Sequence, residues 1–169
     1  MHETEADWQK LQNLLDRSIE QVRPYLRESF QMPAHSLSAR QITHLWRALQ
    51  NIALATVTSK GEPRNAPIGA LLFHGQWYIP TVAAAVRTRQ LLRRPAMSFT
   101  HYQGDDLAII VHGSARVLAP DQPAFAEVEA FQQEQTGSSV REWGEGVFLQ
   151  TIPQQIYTFV RYPERFPES

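Results

Sequence analysis

Apolar residues recur at helical spacing near the start of the chain. Trp8, Leu11, Leu15, Ile19, Val22 and Leu26 are separated mostly by Gln, Asn, Asp and Arg, which predicts an amphipathic helix with one buried stripe. Pro24 falls inside that stripe, so the helix either kinks there or gives way to a second one. Ser29 to Leu37 reads as a loop, because Pro33 opposes helical continuation. Ser38 precedes Gln41 by three residues in the manner of a capping box, and Ile42, Leu45, Trp46 and Leu49 form the next stripe. These helices fit two readings: ordinary cover for the open side of a sheet, or an arm that reaches across a dimer or closes a pocket.

From Asn51 the period shortens. IALATVTS is rich in β-branched residues and short enough for a buried strand, SKGEP reads as a turn, and RNAPIGALLF resumes as a strand. Pro67 cannot donate to a ladder, which predicts an edge or a bulge, and Gly69 permits close approach. A bound group lying against this strand explains both residues; packing alone explains them equally well. His74-Gly75 suits a tight hairpin turn into QWYIPT. A turn of small residues then leads into a short helix carrying Arg87, followed by the strands AMSFTHYQ and LAIIVHGSARVLA, where Gly113 marks a bend or bulge. Asp121 is expected to cap a helix over PAFAEVEAFQQEQ. WGEGVFLQTIP reads as loop passing into strand, and QQIYTFVRY as the last strand.

Six strands joined mostly by tight turns predict an α+β fold, mostly β, built as an antiparallel barrel. The expected division is a two-helix extension over 1–50, the barrel over 51–162 and a polar tail over 163–169.

Composition narrows the function mainly by exclusion. A formal charge of -1 gives no electrostatic case for nucleic acid or an anionic membrane. No cysteine is present, which removes disulfides, thiolate nucleophiles and thiolate metal sites. No apolar run approaches the roughly 20 residues of a membrane helix, so the expected setting is the cytoplasm. GxSxG, HExxH, P-loop and GxGxxG patterns are absent, and the six histidines lack metal-ligand spacing. What remains is a run of arginines, Arg87, Arg89, Arg93 and Arg94, on the short helix. Arg87 lies in the first turn, where unpaired backbone N–H groups and a guanidinium suit a phosphate. A solvated basic face is the competing reading.

The succession ALATVTSKGEPRNAPIG, WYIPT, VRTRQLLRRPAMSFT and HGSARVL resembles the pyridoxamine 5'-phosphate oxidase-like family of FMN-binding split β-barrels. The resemblance covers about Asn51 to Leu118, more weakly Ile152 to Arg161. It implies a split barrel, a homodimer, and FMN held in clefts between subunits, with a deazaflavin coenzyme as the alternative. Carried over by position, it implies flavin contacts from Ala66, Pro67, Ile68, Gly69 and Thr81. It implies phosphate contacts at Ala85, Val86 and Arg87, with Arg89 as a compensating cation. Phe159 would approach the ring from the partner subunit. Ala85 stands where the family has serine, Val86 where it often has a basic residue, and Ala66 and Leu71 where arginine and lysine are common. The Arg-x-His signature for pyridoxamine phosphate is absent. The implied activity is therefore a flavin-dependent oxidoreductase of another, unidentified small molecule, with no side chain as catalytic acid or base. A non-catalytic flavin-binding or structural dimer is the further alternative.

Overall fold

The computed structural model describes residues 2–168. Helix α1 (Glu5–Gln21) opens on a capping box in which the Thr4 amide donates to Asp7 Oδ2 at 2.8 Å and the Asp7 amide to Thr4 Oγ1. Pro24 starts a second helix, α2 (Pro24–Ser29), rather than kinking the first. The expected Ser38–Gln41 capping box is present at the start of α3 (Ala39–Leu45), with the Ser38 amide donating to Gln41 Oε1 at 2.8 Å. The amino-terminal region thus holds three helices. No helix among the described residues is long and apolar enough to cross a membrane.

Six strands follow: β1 (Gln50–Val57), β2 (Pro63–Phe73), β3 (Gln76–Val82), β4 (Ala96–Gln103), β5 (Leu107–Leu118) and β6 (Gly146–Val160). Helix α4 (Val86–Arg93) joins β3 to β4, and α5 (Phe125–Thr136) lies between β5 and β6. All pairings are antiparallel, and the order β1-β2-β3-β6-β5-β4 closes when β4 pairs back onto β1.

Alternation along each strand decides what fills the barrel. Ile52, Leu54, Ala70, Leu72, Trp77, Ile79, Phe99 and Ile109 point inward, and Leu11, Leu15, Ile42 and Trp46 join the same buried cluster. Helices α1 and α3 therefore complete the barrel core rather than building one of their own. Trp46 sits at the junction, its ring edge-on to Trp77 at 5.7 Å and its Nε1 donating to the Ala70 carbonyl at 2.9 Å. A second cluster lies under α5, where Phe125, Val128 and Phe131 cover Leu71, Phe73 and Phe148 on the outside of the sheet.

Two local expectations need correction. Asp121 does not cap α5, which begins at Phe125 after Ala124 and has no side-chain cap. The preceding residues form their own turn instead, the Ala119 amide donating to Gln122 Oε1 at 2.7 Å. The stretch around Pro153 is not a break before the last strand, because β6 runs unbroken for 15 residues. A register shift between His112 and Gly113 opposite Pro153 makes this possible. A Cβ on Gly113 would stand 2.2 Å from the Ile152 carbonyl oxygen, so the bulge requires glycine there.

Candidate functional site

Strand β1 pairs along its whole length with β2, from Val57↔Pro63 to Gln50↔Ala70. With β3 it pairs only at Leu71, Leu72 and Phe73. Beyond Tyr78, β3 continues against β6 alone. The barrel wall is thus split beside Pro63–Ala70, which keeps one edge without a strand partner. Pro67 lies on that stretch, where its missing N–H costs the ladder nothing on the open side.

The chain enters the split through α4. Ala85 occupies the N-cap position without a side-chain hydrogen bond, leaving the first-turn amides of α4 uncapped. Thr88 Oγ1 donates to the Val82 carbonyl at 2.8 Å and locks the turn, while Leu91 is buried in the barrel core. One apolar anchor and one hydroxyl therefore hold the helix, and no side chain caps its amino end.

Beside this helix start lies a cavity of about 220 Å³ lined by Arg87 and Arg64, with Thr56, Asn65, Ala66 and Gln90 among its other walls. The Arg87 guanidinium donates to Thr81 Oγ1 at 3.3 Å. Thr56 Oγ1 donates to Gln90 Oε1 at 2.6 Å, tying β1 to α4. Arg64 reaches Glu62 at 3.1 Å on an exposed turn. Among the described residues, Arg87 has no carboxylate within ion-pair distance. A half-buried guanidinium with no counter-ion, next to uncapped helix amides, is a site chemically matched to an oxyanion.

The remaining sequence-derived residues fall in different places. Ala66 lines the cavity, and Val86 stands at its mouth, 61% exposed. Ile68 packs against the barrel core. Above Gly69 a Cβ would meet Leu49 Cδ2 at 2.6 Å, so the space that glycine leaves is filled by a leucine of the same chain. Arg89 lies on the other side of α4, in a cavity of about 460 Å³ with Arg93, Arg94, Thr58 and Ser59. Phe159 stands at the far end of β6 from Val147, the partner of Thr81, and stacks on His35 at 5.9 Å. Within one chain Phe159 and Arg87 are not brought together. Arg64, Thr56 and Gln90 were not singled out from the sequence. The signal for Arg64 was available, since it stands two residues before Ala66 on a strand and so shares its side.

The split barrel, with its open strand edge and helix start, defines a class of small antiparallel barrel proteins. The sequence model described as pyridoxamine 5'-phosphate oxidase matches residues 39–158, well over half of the chain, and the chain belongs to that family. No curated protein matches it at the sequence level. Among solved structures it is similar to a conserved hypothetical protein from Mycobacterium tuberculosis, with TM-score 0.65 and 17% identity over 80% of this chain and 92% of that one. It is similar to a pyridoxamine 5'-phosphate oxidase-related, FMN binding protein from Nostoc punctiforme, with TM-score 0.53 and 15% identity over 82% and 84%. It also resembles a protein titled F420 reductase, with TM-score 0.54 and 16% identity over 68% and 94%. At these identities the likeness is one of fold.

Proposed function

We propose that the protein binds FMN at the split in the barrel, as a homodimer, and serves as a flavin-dependent oxidoreductase of a small molecule other than pyridoxamine phosphate. The observation that carries this reading is the uncapped start of α4, with Arg87 and Arg64 on one cavity beside the unpaired edge of β2. The fit is specific about what goes where. A cavity of about 220 Å³ is below the roughly 300–1,000 Å³ usual for small-molecule pockets, so it suits the phosphate end and not a three-ring system. Leu49 closes the face of β2 at Gly69, which leaves the strand's edge for the ring.

A second copy would supply the missing wall. Outward positions on β1 and β4, including Ala53, Ala55, Ser98 and Thr100, are small and half-exposed, while their inward neighbours are buried. Bound flavin would supply the electron and hydride chemistry. This chain's part is to neutralise the phosphate with Arg87 and Arg64, and to offer the N–H and C=O groups of Pro63–Ala70 as an orienting edge. Thr81 fixes the Arg87 guanidinium through its hydroxyl. The test is a fluorescence titration of purified protein with FMN. Arg87→Glu is expected to weaken binding by roughly 100-fold, the scale of losing charge-assisted hydrogen bonds and adding repulsion. Unchanged affinity in that variant removes Arg87 from the site.

One observation favours a second reading. The cavity of about 460 Å³ carrying Arg89, Arg93 and Arg94 adjoins the smaller one across Val86 and Gln90. It has room and charge for the longer acidic tail of a deazaflavin. Charge reversal at Arg93 and Arg94 would then weaken a deazaflavin and spare FMN.

A further inference from the structure

Away from α4, a third cationic cavity of about 340 Å³ lies between α1 and the outer side of β3, β6 and β5. Its charged lining is Lys10 and Arg17 from α1 and Arg116 from β5, over an apolar floor that includes Leu14, Ile152 and Pro153. Lys10 and Arg17 are seven residues apart on α1 and so share a face. No carboxylate lines the cavity, and among the described residues none of these three cations is in an ion pair. In a chain whose formal charge is -1, three unneutralised cations around one cavity are a local concentration.

Arg116 is also held in place. Its Nε donates to Gln150 Oε1 at 2.6 Å, and Gln150, only 8% exposed, donates from Nε2 to the Tyr78 hydroxyl at 3.3 Å. The register sets these three side chains in a row across β3, β6 and β5, as Tyr78↔Gln150↔Arg116. The row engages Nε and leaves both terminal nitrogens of the guanidinium without a partner among the described residues, a fork aligned in advance for an oxyanion. A cation that is merely solvated needs no such buried support.

We infer that this cavity binds a small organic polyanion, with carboxylates or phosphates on a short apolar frame. Arg116 grips one anionic group, Lys10 and Arg17 meet another, and the frame rests on Leu14, Ile152 and Pro153. The site is independent of the flavin reading, since it shares no lining residue with either cavity beside α4.

The test is calorimetric titration of the full chain carrying Arg87→Glu, so that the oxyanion site beside α4 does not respond, with citrate and, separately, glycerol 3-phosphate at low ionic strength. One-to-one binding of at least one of them is expected, weakening as salt is raised. Which probe binds identifies the carboxylate or the phosphate as the source. In that background Arg116→Gln is expected to lower affinity about tenfold or more. Lys10→Gln, on the solvent side of α1, should weaken binding without any folding defect and guards the test against one at Arg116. Failure of both probes to bind, or unweakened binding in both the Arg116 and Lys10 variants, overturns the inference.

Discussion

The two halves of β2 have opposite surroundings. Leu71 to Phe73 pair with β3 and are buried, Leu72 inward against the barrel core and Leu71 and Phe73 outward under α5. Pro63 to Ala70 are paired on one edge only and are mostly exposed or half-exposed up to Gly69. One half holds the barrel together, and the other is left available. A strand can serve both purposes because burial is decided residue by residue, whereas an unpaired edge stays within reach of solvent or a ligand. Substitutions in the closed half should therefore cost stability and leave ligand binding alone. Those in the open half should do the reverse.

The largest effect is expected just after α3, where the chain packs on the boundary between the two halves. Trp46 is 2% exposed and bonds the Ala70 carbonyl, so Trp46→Ala should cost about 3–5 kcal/mol in urea unfolding. Arg87→Glu, at the open half, should stay within about 0.5 kcal/mol of the parent. Equal losses in the two variants would break the contrast.

Next in size is Gly113→Ala. The new methyl would collide with backbone, the Ile152 carbonyl oxygen at 2.2 Å, and backbone cannot swing aside as a side chain can. The bulge would have to open, for roughly 3 kcal/mol. Gly69→Ala places its methyl against Leu49 Cδ2, the end of a flexible side chain, and should cost only about 1 kcal/mol. It also sharpens the comparison, because Gly69 adjoins the boundary between the halves. If packing alone explains Gly69, Gly69→Ala lowers the urea midpoint and leaves FMN affinity intact. A loss of affinity with no loss of stability would return Gly69 to the site.

Legibility in the sequence followed how local each signal was. The Ser38–Gln41 box rests on residues within one turn of each other and could be read directly, whereas Pro24 left a kink and a new helix both open until tertiary packing chose the helix. Gly113 read as a bulge because glycine inside a long strand has few other uses. The continuity of β6 could not be read, since it depends on a bulge at Gln154, beside Pro153, set by the non-local pairing with His112 and Gly113 of β5. Asp121 was a reasonable cap by composition, but Gln122 had already claimed the turn. Arg64 was missed for a different reason. Matching positions to a family directs attention to Ala66, where an arginine is missing, while the strand's period of two puts one two residues earlier on the same side.

The smallest expected effect concerns the hairpin that ends the closed half. His74 Nδ1 lies 2.9 Å from Asp7 Oδ2, stapling the β2–β3 turn to the start of α1. Burial raises the Asp7 pKa, but hydrogen bonds from the Thr4 amide and hydroxyl and from His74, with the His74 charge, outweigh it and leave the carboxyl below its ordinary value. The unfolded chain therefore takes up this proton first as pH falls. The stabilisation is complete above the unfolded pKa, about 4 for an aspartate, and is lost as pH drops through the folded value. Glu129 acts in the same sense, burial again being outweighed by Ser139 and Arg141, so the parent should keep some acid sensitivity without Asp7. Asp7→Asn should cost about 0.5–1 kcal/mol at neutral pH, through the capping box and the staple. Below pH of about 4 the parent should converge on the variant as its own advantage disappears. Urea midpoints for both proteins between pH 7 and pH 3 measure this directly. Parallel curves at every pH would show that the Asp7 carboxylate contributes no charge-dependent stability to the closed half of β2.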